Sequence, residues 1–219
     1  MQVFVSDLHL TDEDHLGTVS DVQLASFIER LVQSHSERSK PIHLVFLGDI
    51  LELLRSTLWD DLWTKHQSAP WSGMGPGFLN FADGHAEHCA LSVATGIVHR
   101  YPRFQSTLQG LVDAGLIETH YIPGNHDFMV QLSPKLREIV VNLLSLRNYD
   151  PQKRFPETYR DRAASLLAVH GHSYDAINWH RETEGYWRWA MPLSFGLSIA
   201  LRVSHARLWA LLRPRIWAG

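Results

Sequence analysis

Four short runs in this chain carry the side chains that divalent cations and phosphate esters require. They are Ser6-Asp7-Leu8-His9, Gly48-Asp49, Gly124-Asn125-His126-Asp127 and His170-Gly171-His172. Carboxylate, amide oxygen and imidazole make a mixed nitrogen and oxygen donor set. Such a set suits Mn²⁺, Fe, Zn²⁺ or Mg²⁺ rather than a thiolate site. Asp7 and His9 lie two residues apart, so both reach one cavity where the chain curls. Gly48 permits a tight turn, from which the Asp49 carboxylate can bridge two ions. Asn125 offers a neutral carbonyl oxygen and His170 a nitrogen. Plainer readings stand beside these. Asp49 could cap a helix starting at Ile50, and Asn125 could be a turn residue. The presence of all four runs favours ligand roles. His172 reads equally as a contact to substrate or metal and as a donor behind the ligands. Glu52 reads equally as an acid orienting a site histidine and as a solvated helix acid.

Each run follows an apolar stretch that predicts a strand: residues 2–6, 42–47, 118–122 and 165–169. Between them lie helical patterns at 19–32, with Ser20 or Thr18 as N-cap, and at 87–114, broken near Pro102 and ended by Gly115. A third helix opens at Ser133-Pro134 and runs to about residue 146. Alternation of strand and helix predicts parallel strands with right-handed crossovers. In such sheets ligands bind outside the carboxyl ends of the strands. Residues 56–85 interleave Trp59, Trp63 and Trp71 with proline and glycine. They read as an irregular insertion packed on itself, the alternative being a lid over a lipid or nucleoside.

The chain has 219 residues, 45% apolar and 20% charged, as in an ordinary globular protein. A net charge of -3 supplies no general basic field, which argues against nucleic acid as partner. The single cysteine, Cys89, excludes an internal disulfide and reads as an apolar filler on a helix. No leader pattern and no apolar run long enough to span a bilayer is read, so the expected location is cytoplasmic. Residues 1–190 read as one catalytic domain, and 191–219 as a C-terminal amphipathic helical segment. In the latter, Leu193, Leu197, Leu201 and Leu208 share an apolar side, with Arg202, Arg207, Arg213 and Arg215 as charges. A helix covering the core is the preferred reading, and peripheral membrane contact the alternative.

In this order the runs resemble those of the calcineurin-like metallophosphoesterase superfamily. Ser6-Asp7-Leu8-His9-Leu10 and Gly48-Asp49-Ile50-Leu51-Glu52 are similar to the bacterial branch that contains UDP-2,3-diacylglucosamine hydrolase. The resemblance spans residues 3 to about 178. It implies an α/β fold of two mixed β-sheets packed face to face with flanking helices, the second sheet allowed to be incomplete. It implies Asp7 and His9 on a first metal, Asp49 bridging, and Asn125 and His170 on a second. His126 is then the acid at the phosphoryl group, oriented by Asp127 or a nearby acid. The implied cofactors are two divalent ions, Mn²⁺ first and Fe, Zn²⁺ or Mg²⁺ otherwise, with a hydroxide between them attacking phosphorus in line. The implied partner is a phosphate-containing small molecule or a lipid-linked substrate. One departure stands out. The superfamily closes its site with Gly-His-x-His, but Tyr174 occupies the place of the second histidine after His172. The chain is therefore read as a fragment, a truncated product or a divergent member. The rival function is a non-catalytic or weakly active scaffold.

Overall fold

The first three apolar runs form strands β1 (Gln2–Val5), β2 (Ile42–Leu47) and β3 (Ile117–Ile122) in a computed structural model. It describes residues 1–13, 17–35, 40–59 and 84–174; the expectations for Trp63, Trp71 and residues 191–219 lie outside these. The strands pair in the order β1-β2-β3, all parallel. Gln2 to Val5 register with His43 to Phe46, and Ile42 to Leu47 with Ile117 to Ile122.

The connections are helical, as the 3.6-residue spacing predicts. α1 (Asp21–Ser34) begins at a capping box in which Ser20 and Gln23 satisfy each other's backbone N–H. The second connection is two helices, α2 (His85–Arg100) and α3 (Pro102–Asp113). Pro102 cannot continue α2, because it lacks an N–H and its ring crowds the preceding turn. Asp21 then caps α3, accepting from the N–H groups of Arg103 at 3.1 Å and Phe104 at 2.7 Å. α3 ends before Gly115, whose φ of +70° is the left-handed stop that glycine accepts most readily. α4 (Pro134–Leu143) starts with Ser133 capping Leu136 N–H at 3.3 Å, and stops short of the expected 146.

Right-handed crossovers that always step the same way across a sheet put every helix on one face. The packing agrees. Ile42, Leu44 and Phe46 point to a core shared with Leu24 and Ile28 of α1, Ile97 of α2, and Phe104 and Leu108 of α3. Cys89 lies in that core, as expected of an apolar filler, and so does Trp59, whose indole N–H donates to Leu53 O at 2.7 Å.

The opposite face carries Gln2, Phe4, His43, Val45, Glu118 and His120, with Phe4 partly exposed. A second sheet lies against it. β4 (Tyr159–Asp161) and β5 (Leu166–Ala168) pair antiparallel. Tyr159 meets Phe4 and His120 edge-on, at centroid distances of 5.7 and 5.1 Å. The sheets are thus one parallel and one antiparallel, where two mixed sheets were expected. The parallel sense comes from the long crossovers, the antiparallel sense from the short turn at 162–165. That turn is held by Asp161 Oδ1, which accepts from Ala163 N–H at 2.9 Å and Ala164 N–H at 3.0 Å. β4 was not expected, because Tyr-Arg-Asp has no apolar alternation to betray it. Among the described residues no helix is long and apolar enough to cross a membrane.

Candidate metal centre

The loops that leave β1 and β2 run side by side past the end of the sheet. Asp7 N–H donates to Gly48 O at 3.1 Å, His9 N–H to Asp49 O at 3.0 Å, and Leu10 N–H to Ile50 O at 2.8 Å. Glu52 N–H returns a bond to Leu10 O at 2.8 Å. Backbone pairing therefore continues beyond the strands and ends in a parallel bridge between Leu10 and Leu51, but it passes through a conformation no strand adopts. Asp7, His9 and Asp49 hold φ values of +54°, +46° and +52°. Side-chain-bearing residues rarely enter the left-handed region, and when they do the strain is concentrated at functional sites. Three of the five such residues in the described structure are candidate ligands; the others are Ser145 and Ser165. The twist brings the donor atoms of Asp7, His9 and Asp49 within 4.8 Å of one another.

The loops after β3 and β5 complete the cluster. His126 N–H donates to Asp49 Oδ1 at 2.8 Å. His170 Nε2 lies 3.4 Å from Asp49 Oδ2 and 3.3 Å from Asn125 Oδ1. The other ring nitrogen of His170, Nδ1, donates to Leu47 O at 3.0 Å. A carbonyl can only accept, so this bond fixes the tautomer and aims Nε2 at the carboxylate. Two glycines make the approach feasible. A Cβ at Gly48 would overlap the His170 ring, and one at Gly124 would overlap Asp49. Asp7, His9, Asp49, Asn125 and His170, picked from scattered runs, are thus brought together.

Glu52 resolves from two readings to one. It is 1% exposed and takes His9 Nδ1 at 3.0 Å and His126 Nδ1 at 3.0 Å, with Arg55 Nε at 3.3 Å. Burial works against its charge, but the bonds to His126 and His9 prevail and bring its pKa down to about 2. An ionised carboxylate only accepts, so both histidines present N–H to it at Nδ1. The His9 and His126 rings stand nearly perpendicular, 4.8 Å apart. Burial pulls His126 down, yet Glu52 and then Asp49 raise its pKa above the ordinary value.

Asp127 is not the acid beside His126. Its side chain is fully buried and accepts from Ile50 N–H at 3.0 Å and Gly124 N–H at 2.5 Å. It ties the loop after β3 to the loop after β2. Burial, then Asp49, pushes its pKa up. Asp49 itself is 4% exposed; burial opposes its charge, but His170 and His126 hold its pKa below the ordinary value. His172 lies beside His170, the two rings tilted with centroids 5.2 Å apart.

Next to Gly124 and His170 opens a cleft of about 350 Å³, lined also by Phe128, Gln131, Arg154, Phe155, His172 and Tyr174. Gln131 fixes its wall by pairing with both backbone groups of Phe155, each at 2.9 Å. Arg137 holds the 3₁₀ turn Phe128–Gln131 by donating to Gln131 O at 2.8 Å. Arg55 is the polar group that reading the sequence missed; its three-residue spacing from Glu52 was the available signal.

Two carboxylates, two imidazoles and an amide oxygen make a donor set of the kind that borderline divalent cations take. Comparison of the chain with protein-family models, curated proteins and solved structures finds no match.

Proposed function

We propose that this chain is a metal-dependent phosphoesterase of calcineurin-like type, which hydrolyses a phosphate ester or pyrophosphate. One observation carries the reading. Asp7, His9 and Asp49 sit on left-handed backbone, knitted loop to loop, with their donor atoms in one cluster. A structural turn has no need of three strained polar residues in one place. The fold proposed with it is an α/β sandwich, in which the β4–β5 sheet faces the parallel sheet.

The residues divide the work. Asp7 and His9 would hold one divalent cation, Asn125 and His170 a second, and Asp49 would bridge them. Such a pair, when bound, supplies charge for the phosphoryl oxygens and lowers the pKa of bound water. His126 donates a proton to the leaving oxygen from Nε2 while Glu52 stabilises its imidazolium at Nδ1. Glu52 also keeps His9 in the tautomer that leaves Nε2 available. The cleft beside His170, bounded by Phe128 and Phe155, offers room for part of a substrate.

A second reading has its own support. Tyr174 stands where the resemblance calls for a further histidine. A weakly active, one-metal protein or a scaffold follows if the remaining ligands hold only one ion.

The test is metal content, with turnover of p-nitrophenyl phosphate and bis-p-nitrophenyl phosphate in Mn²⁺. Two ions and turnover, both lost in Asp49→Ala, are expected. One ion with slow turnover favours the second reading. A chain that binds no metal and hydrolyses neither ester ends the proposal.

A further inference from the structure

We propose that His43, Glu118 and His120 form a separate cation site on the face of the parallel sheet away from the helices, suited to a borderline divalent ion such as Zn²⁺. It does not depend on the phosphoesterase reading, because none of the three belongs to that cluster.

The register builds the site. His43 pairs with Glu118, and Val45 with His120. Side chains alternate along a strand, so Glu118 and His120 face the same way and His43 lies beside both. His43 Nδ1 stands 3.4 Å from His120 Nε2 and 3.5 Å from Glu118 Oε2. His120 Nε2 stands 3.7 Å from Glu118 Oε1. An ion held tetrahedrally at about 2.1 Å from each donor spaces those donors about 3.4 Å apart. With one oxygen of Glu118 as ligand, the three donor atoms lie within 4.8 Å of one another, so a modest side-chain adjustment brings them onto one ion.

The chemistry is selective. Two imidazoles and one carboxylate suit Zn²⁺ or its neighbours, whereas Ca²⁺ and Mg²⁺ require oxygen. Two neutral imidazoles that meet nitrogen to nitrogen share one hydrogen bond at best, and a cation satisfies both lone pairs at once. Among the described residues no lysine or arginine pairs with Glu118, whose carboxylate meets only the two histidines.

Position separates this site from the first. His43 and Glu118 lie near the amino ends of β2 and β3, while Asp49 and Asn125 lie beyond their carboxyl ends. Tyr159 of the small sheet packs on His120, so an ion here would brace the surface on which that sheet rests.

The test uses the full chain, freed of metal and titrated with Zn²⁺ alone, with histidine ring resonances read by NMR. His43 and His120 signals should shift together. His43→Gln and His120→Gln should each weaken that binding at least about tenfold. Glu118→Gln, which keeps the side-chain shape, gives the same reading if a histidine variant fails to fold. The proposal is overturned if zinc leaves both ring signals unmoved, or if the variants bind zinc with unchanged stoichiometry and affinity.

Discussion

At the scale of single residues, the candidate centre separates three kinds of polar group. Donors that would touch a cation are Asp7, His9, Asp49, Asn125 and His170. His126 is the proposed proton donor, and Glu52 meets its Nδ1. These roles have different signatures. His126→Ala should lower kcat by about 10²- to 10⁴-fold and leave metal content unchanged, as measured by turnover and elemental analysis. An equal loss of metal would make His126 a ligand instead. Glu52→Gln removes an acid whose pKa is lowered to about 2 from an ordinary 4.5. A depressed carboxylate contributes stability that is full above its unfolded pKa and is lost as pH falls through the folded one. Acid unfolding of the wild type should therefore include a loss between about pH 4.5 and 2 that Glu52→Gln lacks. Identical acid profiles would show that Glu52 is not held by the two histidines in solution.

At the scale of elements, what matters is how loops cross at the sheet end. Gly48 and Gly124 permit contacts that any Cβ would obstruct. Gly48 also has a φ of +78°, which side-chain-bearing residues resist. Gly48→Ala and Gly124→Ala should each destabilise the chain by about 1–3 kcal/mol in denaturant melts, and weaken metal binding as well. Gly110 is the contrast. It lies inside α3 with open space around its Cβ position. Gly110→Ala should raise stability by about 0.5–1 kcal/mol, through helix propensity alone. If all three alanines behaved alike, the loop crossing would not be as close as described. Legibility followed the same line. Capping residues such as Ser20 and Ser133, and the break at Pro102, were readable because local chemistry decides them. β4 was not, because its three residues form a strand only by pairing with β5.

At the scale of the whole molecule, charge couples the centre to pH. In the metal-free chain burial opposes the His170 charge, but Asp49 overrides it and pushes the pKa up to about 9 from an ordinary 6.5. Its contribution to stability is present below about pH 6.5 and lost as pH rises through about 9. A cation needs the neutral ring, so binding near pH 7 must expel that proton. Calorimetry in two buffers of different ionisation enthalpy should record proton release, and affinity should rise with pH up to about 9. Buffer-independent heats would exclude His170 as a ligand. The sequence by itself determined which residues could hold a metal, because donor chemistry and the preceding apolar runs are local properties. It also determined the order of the helices and of every described strand but β4, through periodicity and caps. Only the tertiary structure decided that Glu52, not Asp127, serves His126, since the choice depends on how two loops 74 residues apart meet. It also decided that the helices share one face of the parallel sheet, where Ile42, Leu44 and Phe46 pack against them, while His43, Glu118 and His120 lie together on the other. No run in the chain contains those three, because only the register of β2 against β3 makes them neighbours.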